Sequence, residues 1–315
     1  MRTKIIGVLS LGLSMIASVN LYAQSDDVVA VVTELKFNAG DIQVRQPSSQ
    51  KAERANALQA LRAGSSIQAS KDASAVVLFT DSAKTITVDE KNSPLEINAP
   101  PQKDSVARGR LRDVINLLLG KRKESSWVSL AGRGSGQPAT LLSPRSTKVM
   151  NDAPTFYWVG MDRQAGTVKV YGPGGLIWSA ENLSATQIKY PASAPRLKPG
   201  GEYSWVIEKA GFTSQKAVFK LLAPQELKSV EEQLAGLNAA DGMSKTTLTI
   251  IKANLLSSKD LLHEAREILT EAVNSNPSEP TLHFLLGEVY EKTGLRDLAE
   301  EEYREAAYLE KKGNQ

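Results

Sequence analysis

The chain has 315 residues, 41% of them hydrophobic and 23% charged, with 38 basic against 35 acidic side chains. That length exceeds one ordinary domain, and the near-neutral balance without a long basic run argues against nucleic acid as the main partner. Cysteine is absent and histidine occurs only twice, which leaves little for a metal centre or a nucleophilic triad.

The N-terminus has the pattern of a secretory signal. Arg2 and Lys4 supply a positive start, Ile5 to Ile16 an apolar stretch, and Leu21–Tyr22–Ala23 a cleavage site before Gln24. Ser10, Ser14, Ser18 and Asn20 weaken the alternative of a membrane anchor, since a span wants roughly 20 apolar residues. Removing residues 1–23 takes away two bases and no acid, lowering the formal charge from +3 to about +1. Without an N-terminal cysteine there is no lipid anchor, so the expectation is a soluble periplasmic protein with no membrane span after cleavage.

Residues 28–97 read as β structure. Val28–Val32 is a continuous apolar run, and Asp41–Val44 follows a turn at Asn38–Ala39–Gly40. Ala73–Phe79 and Thr85–Val88 then supply further strands, the short spacing of an antiparallel sandwich or solenoid-like module. The order Gly40–Asp41–Ile42–x–Val44, Leu61–x–x–Gly64–Ser65–x–Ile67–x–Ala69 and Ala73–x–Ala75–x–Val77–x–Phe79–x–Asp81 resembles the periplasmic FecR-type domain. That resemblance implies a binding module. The signal relay of that family is not implied, because the chain has neither a sigma-factor-binding segment nor an internal span.

Residues 104–139 are expected to hold an amphipathic helix and a linker. Val106, Leu111, Val114, Ile115, Leu118 and Leu119 share one face, and Gly132–Arg133–Gly134–Ser135–Gly136 reads as flexible. Such a helix either caps the neighbouring β domain or, with Lys121, Arg122 and Lys123 at its end, lies on a membrane surface.

A second β domain is expected at 140–222. Phe156–Trp158, Val168–Tyr171 and Tyr203–Ile207 are strand-like, and Gly172–Pro173–Gly174–Gly175 is a turn. Leu197–Lys198–Pro199–Gly200–Gly201–Glu202–Tyr203–Ser204–Trp205 resembles the corner of fibronectin type III and immunoglobulin-like sandwiches. There a Tyr ring packs and its hydroxyl bonds the upstream backbone. Trp158 and Trp205 lie in strands, where indoles are usually core. Trp178 follows a Gly turn and is the candidate for stacking on a glycan.

The region 224–312 is helical, with a first amphipathic helix at 226–237 and four more near 246–257, 261–274, 280–292 and 296–311. Ala265, Leu269, Ala272 and Pro277 recur 34 residues on as Ala299, Tyr303, Ala306 and Lys311. This period, with Leu286–Gly287 and Tyr290 in the second copy, resembles the tetratricopeptide repeat, a helix–turn–helix unit that presents a groove to a partner. The resemblance implies groove positions Thr247, Ile250, Asn254 and Ser257 in one copy and Thr281, Phe284, Glu288 and Glu291 in the next. This mix would suit an extended peptide carrying a basic residue, although Glu288 and Glu291 also read as a solvated face. Two repeats fall short of the three usually needed, so the 226–237 helix, a partner or a second copy should cover an exposed end.

The sequence therefore predicts a multidomain β plus α chain: two antiparallel β domains followed by an all-α tetratricopeptide-like array. Its expected role is a non-enzymatic exported scaffold without cofactor or metal. It docks an envelope protein or extended peptide through the repeats and binds a second component through the β domains. The alternative is a periplasmic protein that binds peptidoglycan or another glycan. His263 and His283 lack a ligand spacing, and Asp89–Glu90 and Glu300–Glu301–Glu302 are carboxylates beside a turn and on a charged helix face.

Overall fold

The computed structural model describes residues 28–82, 84–98, 139–160, 166–209, 212–238 and 242–312. The signal sequence, the 104–123 helix and the 132–136 linker lie outside the described residues. Among the described residues seventeen strands precede five helices, as expected for a β plus α chain.

Strands β1 (Val28–Phe37), β4 (Ala60–Arg62), β6 (Ala73–Phe79) and β7 (Thr85–Val88) form one sheet in the order β4-β1-β6-β7. A second sheet, β3-β2-β5-β8, contains Glu53–Arg54, Ile42–Arg45, Ser66–Ala69 and Leu95–Glu96. Gly40 makes the turn between β1 and β2 because only hydrogen fits there: a Cβ would lie 2.1 Å from the Lys71 carbonyl oxygen. The apolar continuity of β1 also has a physical cause. Val29, Ala30, Val32 and Leu35 pack into the β core, whereas Val31 belongs to the helical core. Both faces of the strand are thus covered, and alternation is lost. A register shift between Val32 and Glu34 places Thr33 in a bulge, which re-aims the following side chains.

The second module begins with β9 (Thr140–Ser143) and β10 (Thr147–Val149). Its larger sheet runs β10-β17-β15-β12-β13, where β12 is Gly166–Gly172, β13 Gly175–Leu183, β15 Glu202–Lys209 and β17 Ala217–Leu221. The short β16 (Phe212–Thr213) pairs with β15. The smaller sheet is β14-β11-β9, built from Gln187–Lys189, Thr155–Val159 and β9. The pairings are antiparallel except β10 with β17, which is parallel. Phe156, Trp158 and Trp205 are enclosed in its core, with the Phe156 and Trp205 rings 4.9 Å apart. Tyr203 is buried, and its hydroxyl accepts the Lys198 N–H at 2.6 Å, the contact expected of the corner motif.

The helices are α1 (Pro224–Asn238), α2 (Lys245–Ser258), α3 (Leu262–Ser275), α4 (Pro280–Lys292) and α5 (Arg296–Lys311). They match the expected helices within two residues at each end. Gly287 sets the close approach of α4 and α5: a Cβ would meet the Tyr303 ring at 2.8 Å and the Ala299 carbonyl oxygen at 3.2 Å. The helical core is shared with both β modules, because Val31, Leu58 and Leu78 from the first and Leu142 and Leu222 from the second join its cluster. Helix α1 packs on α2, so the array is covered on several sides by its own chain.

Candidate partner-binding surface

The two β modules meet the helical array through hydrogen bonds at helix termini. β4 pairs with β1 only at Val28–Val31, which leaves the later half of β1 as an edge whose donors need partners. Glu279, the N-cap residue of α4, supplies one. Its carboxylate accepts the Leu35 N–H at 3.0 Å and the Thr281 N–H at 3.1 Å. Beside it, Ser244 caps α2 by accepting the Thr247 N–H at 2.9 Å and donates its own hydroxyl to Glu34. Thr247 donates to Glu34 at 2.7 Å, and its oxygen lies 3.0 Å from the Thr33 hydroxyl. At the far end of α5, Glu310 accepts the Ala57 N–H at 2.8 Å.

The second seam uses the N-terminus of α3. Its own N-cap residue, Leu261, has no side-chain acceptor; Thr147 of β10 provides it instead, accepting from Leu262 N–H at 2.8 Å and His263 N–H at 3.2 Å. A cap thus arrives from another module. Glu264 accepts the Met150 N–H at 2.5 Å, and Tyr157 donates to Glu267 at 2.9 Å. The Arg266 guanidinium stacks over the Tyr157 ring at 4.5 Å, and Arg145 donates to the Thr293 carbonyl at 2.9 Å.

Ser143, His263 and Glu267 line up in a way that invites a catalytic reading, with Ser143 Oγ 2.8 Å from His263 Nδ1 and His263 Nε2 3.6 Å from Glu267. The environment points elsewhere. Ser143 is only 3% exposed, between β9 and α3, so its oxygen has no approach for a substrate. Burial and the nearby Arg266 charge hold the His263 pKa down at about 3. The trio joins two modules. His283, the other histidine, joins two helices: its Nδ1 lies 2.7 Å from Glu302 and its Nε2 3.0 Å from the Pro277 carbonyl oxygen. Burial opposes charging of this ring, but these two acceptors outweigh it and its pKa is raised.

Against this frame the expected groove residues divide. Thr247, Ile250, Asn254, Ser257 and Thr281 are buried, and Glu288 is only 9% exposed. As arranged, the five fully enclosed side chains offer no face to an external peptide. Phe284 is half-buried against Tyr303, with ring centroids 5.5 Å apart, and Glu291 is exposed and accepts the Tyr303 hydroxyl at 2.8 Å. Lys292 reaches across to the first repeat, donating to Ser257 Oγ at 2.9 Å. Trp178 is the most exposed of the three indoles considered, but its ring already stacks with Phe156 at 6.2 Å and meets Tyr190 edge-on at 5.3 Å.

Comparison with protein families gives one finding. Residues 280–312, α4 and α5, match the tetratricopeptide repeat. The match falls on the repeat that carries Leu286–Gly287, in which Phe284 is half-buried and Glu291 exposed. A comparison with curated proteins returns no match. Among the described residues no helix is long and apolar enough to cross a membrane.

The sequence reading missed the residues that join the modules: Thr33, Glu34, Thr147, Glu264 and Glu279. Glu279 carried one local signal, an acid directly before Pro280 at a helix start. Its Leu35 partner lies 244 positions away, beyond any local pattern.

Proposed function

We propose that the chain is a non-enzymatic scaffold that captures a protein or extended peptide on the second, matched repeat, with the β modules held at fixed positions beside it. The observation that carries this reading is the tetratricopeptide match at 280–312, a repeat whose physical use is partner docking. Within that repeat, Phe284 offers an apolar contact and Glu291 an exposed carboxylate, which suits a segment with a basic residue beside an apolar one. Export rests on the N-terminal signal pattern, and the first β module is proposed to bind a second component by its likeness to the FecR-type domain. Contacts with Phe156 and Tyr190 engage the Trp178 ring, so the geometry favours protein docking over glycan stacking.

Affinity capture from envelope extract tests the reading, with wild type beside a Phe284→Ala, Glu291→Lys variant. Phe284 is half-buried and Glu291 exposed, so the fold should survive both changes. Loss of a discrete set of proteins with the variant is the expected result. An identical set would move the docking site off the repeat.

A further inference from the structure

Each seam contains a buried glutamate from the helical array that holds a backbone N–H of a β module. At the first seam Glu279 takes Leu35 N–H; at the second Glu264 takes Met150 N–H. Neither carboxyl faces a cation among the described residues. Around Glu279 stand the Leu35 and Thr281 amides and the like-charged Glu34 of β1; Glu34 in turn accepts from the Ser244 and Thr247 hydroxyls. The charged group that acts on Glu264 is Glu267 of α3, which itself accepts from Tyr157 of β11 and faces the neutral His263. The nearest base on β10, Lys148, pairs with Glu226 at 3.1 Å, and Arg266 is stacked on Tyr157. One oxygen of Glu264 is buried without a hydrogen-bond partner.

We propose that Glu279 and Glu264 are proton-dependent latches, so that deprotonation loosens the β modules from the helical array and frees the groove end that the first module covers. The physical reason is direct. An ionised carboxylate in a site without a cation loses solvation that its hydrogen bonds only partly replace, whereas the protonated acid is neutral. Two like charges, Glu34 and Glu279, share the first seam. Burial pushes Glu279 up to about 8 and Glu264 up to about 7, against the opposing pull of their amide donors.

The sign follows from linkage. A carboxyl whose pKa is higher in the closed state than in the open one stabilises closure fully below its open-state pKa and loses that contribution as pH rises through its closed-state pKa. The window therefore runs from about 4.5 to about 8 for Glu279 and to about 7 for Glu264.

Amide hydrogen exchange at Leu35 and Met150, corrected for intrinsic rates, reads each latch separately. Between about pH 5.5 and pH 8.5, protection in the wild-type chain should fall on the order of a hundredfold at Leu35 and tenfold at Met150. Glu279→Gln should flatten the response at Leu35 alone, and Glu264→Gln that at Met150 alone. Protection independent of pH in the wild type, or a Leu35 response that persists in Glu279→Gln, would overturn the proposal. If a glutamine variant does not fold, carboxyl carbon titration of the wild-type chain decides: midpoints above about 6 support the latches and midpoints below it refute them.

Discussion

The two helical repeats occupy equivalent positions in sequence and unequal ones in space. Thr247 and its counterpart Thr281 are both fully enclosed, because both lie near helix N-termini that dock against β1. Towards the other end the copies diverge. Ile250 is enclosed where Phe284 is half-buried, and Ser257 is enclosed where Glu291 is exposed. The first repeat has become core, wedged between α1, β1 and β10; the second keeps Phe284 half-buried and Glu291 exposed. The sequence registers the same divide, since Lys252–Ala253 stands where the matched repeat has Leu286–Gly287. A helix pair that serves as internal packing need not keep the tetratricopeptide pattern, because its neighbours are fixed by its own chain.

If that contrast is right, equivalent substitutions should have unequal effects. Ile250→Ala should cost about 2–5 kcal/mol of stability, and Phe284→Ala clearly less, because only the first leaves an enclosed cavity. Chemical denaturation of the two variants checks the order, and a larger loss for Phe284→Ala would reverse the comparison. Gly287→Ala should cost about 1–3 kcal/mol, since its methyl would press on the Tyr303 ring and the Ala299 carbonyl. The first repeat already carries that methyl at Ala253 and should accept Ala253→Gly with only a modest loss.

The seams give smaller effects. Thr147→Val removes the side-chain acceptor that caps the start of α3 and should cost about 0.5–2 kcal/mol, with faster exchange at the Leu262 and His263 amides. His263 supplies an acid limb. Its pKa is depressed in the folded chain, so its contribution is present above about 6.5 and is lost as pH falls towards about 3. His263→Gln should flatten the unfolding midpoint across that window, and an unchanged acid limb would contradict it. On the exposed face of α5, Arg304→Ala should change stability by less than about 0.5 kcal/mol, despite its contact with Glu300.

Much of the fold was legible because it is written in local patterns. The 34-residue period locates the four repeat helices, Gly40 the turn from β1 to β2, and Gly172–Gly175 the hairpin of β12 and β13. The Tyr203 contact followed from a short motif. The seams were not legible. Thr33, Thr147 and Glu264 are ordinary strand or helix residues in sequence, and only the docking of modules far apart in the chain turns them into caps and latches. The continuous apolar run of β1 did hint that both its faces are buried, but nothing in it names the helices as the second cover. The expected groove positions fall on α2 and α4, yet their accessibility depends on what packs across them, which the repeat period does not encode.

Site-specific photocrosslinking tests the central claim most directly, with the reactive residue at position 291 in one chain and at the exposed Val218 of β17 in another. The account predicts a discrete adduct with a partner from position 291 and none from 218. An adduct from 218 alone would place docking on the second β module and contradict it.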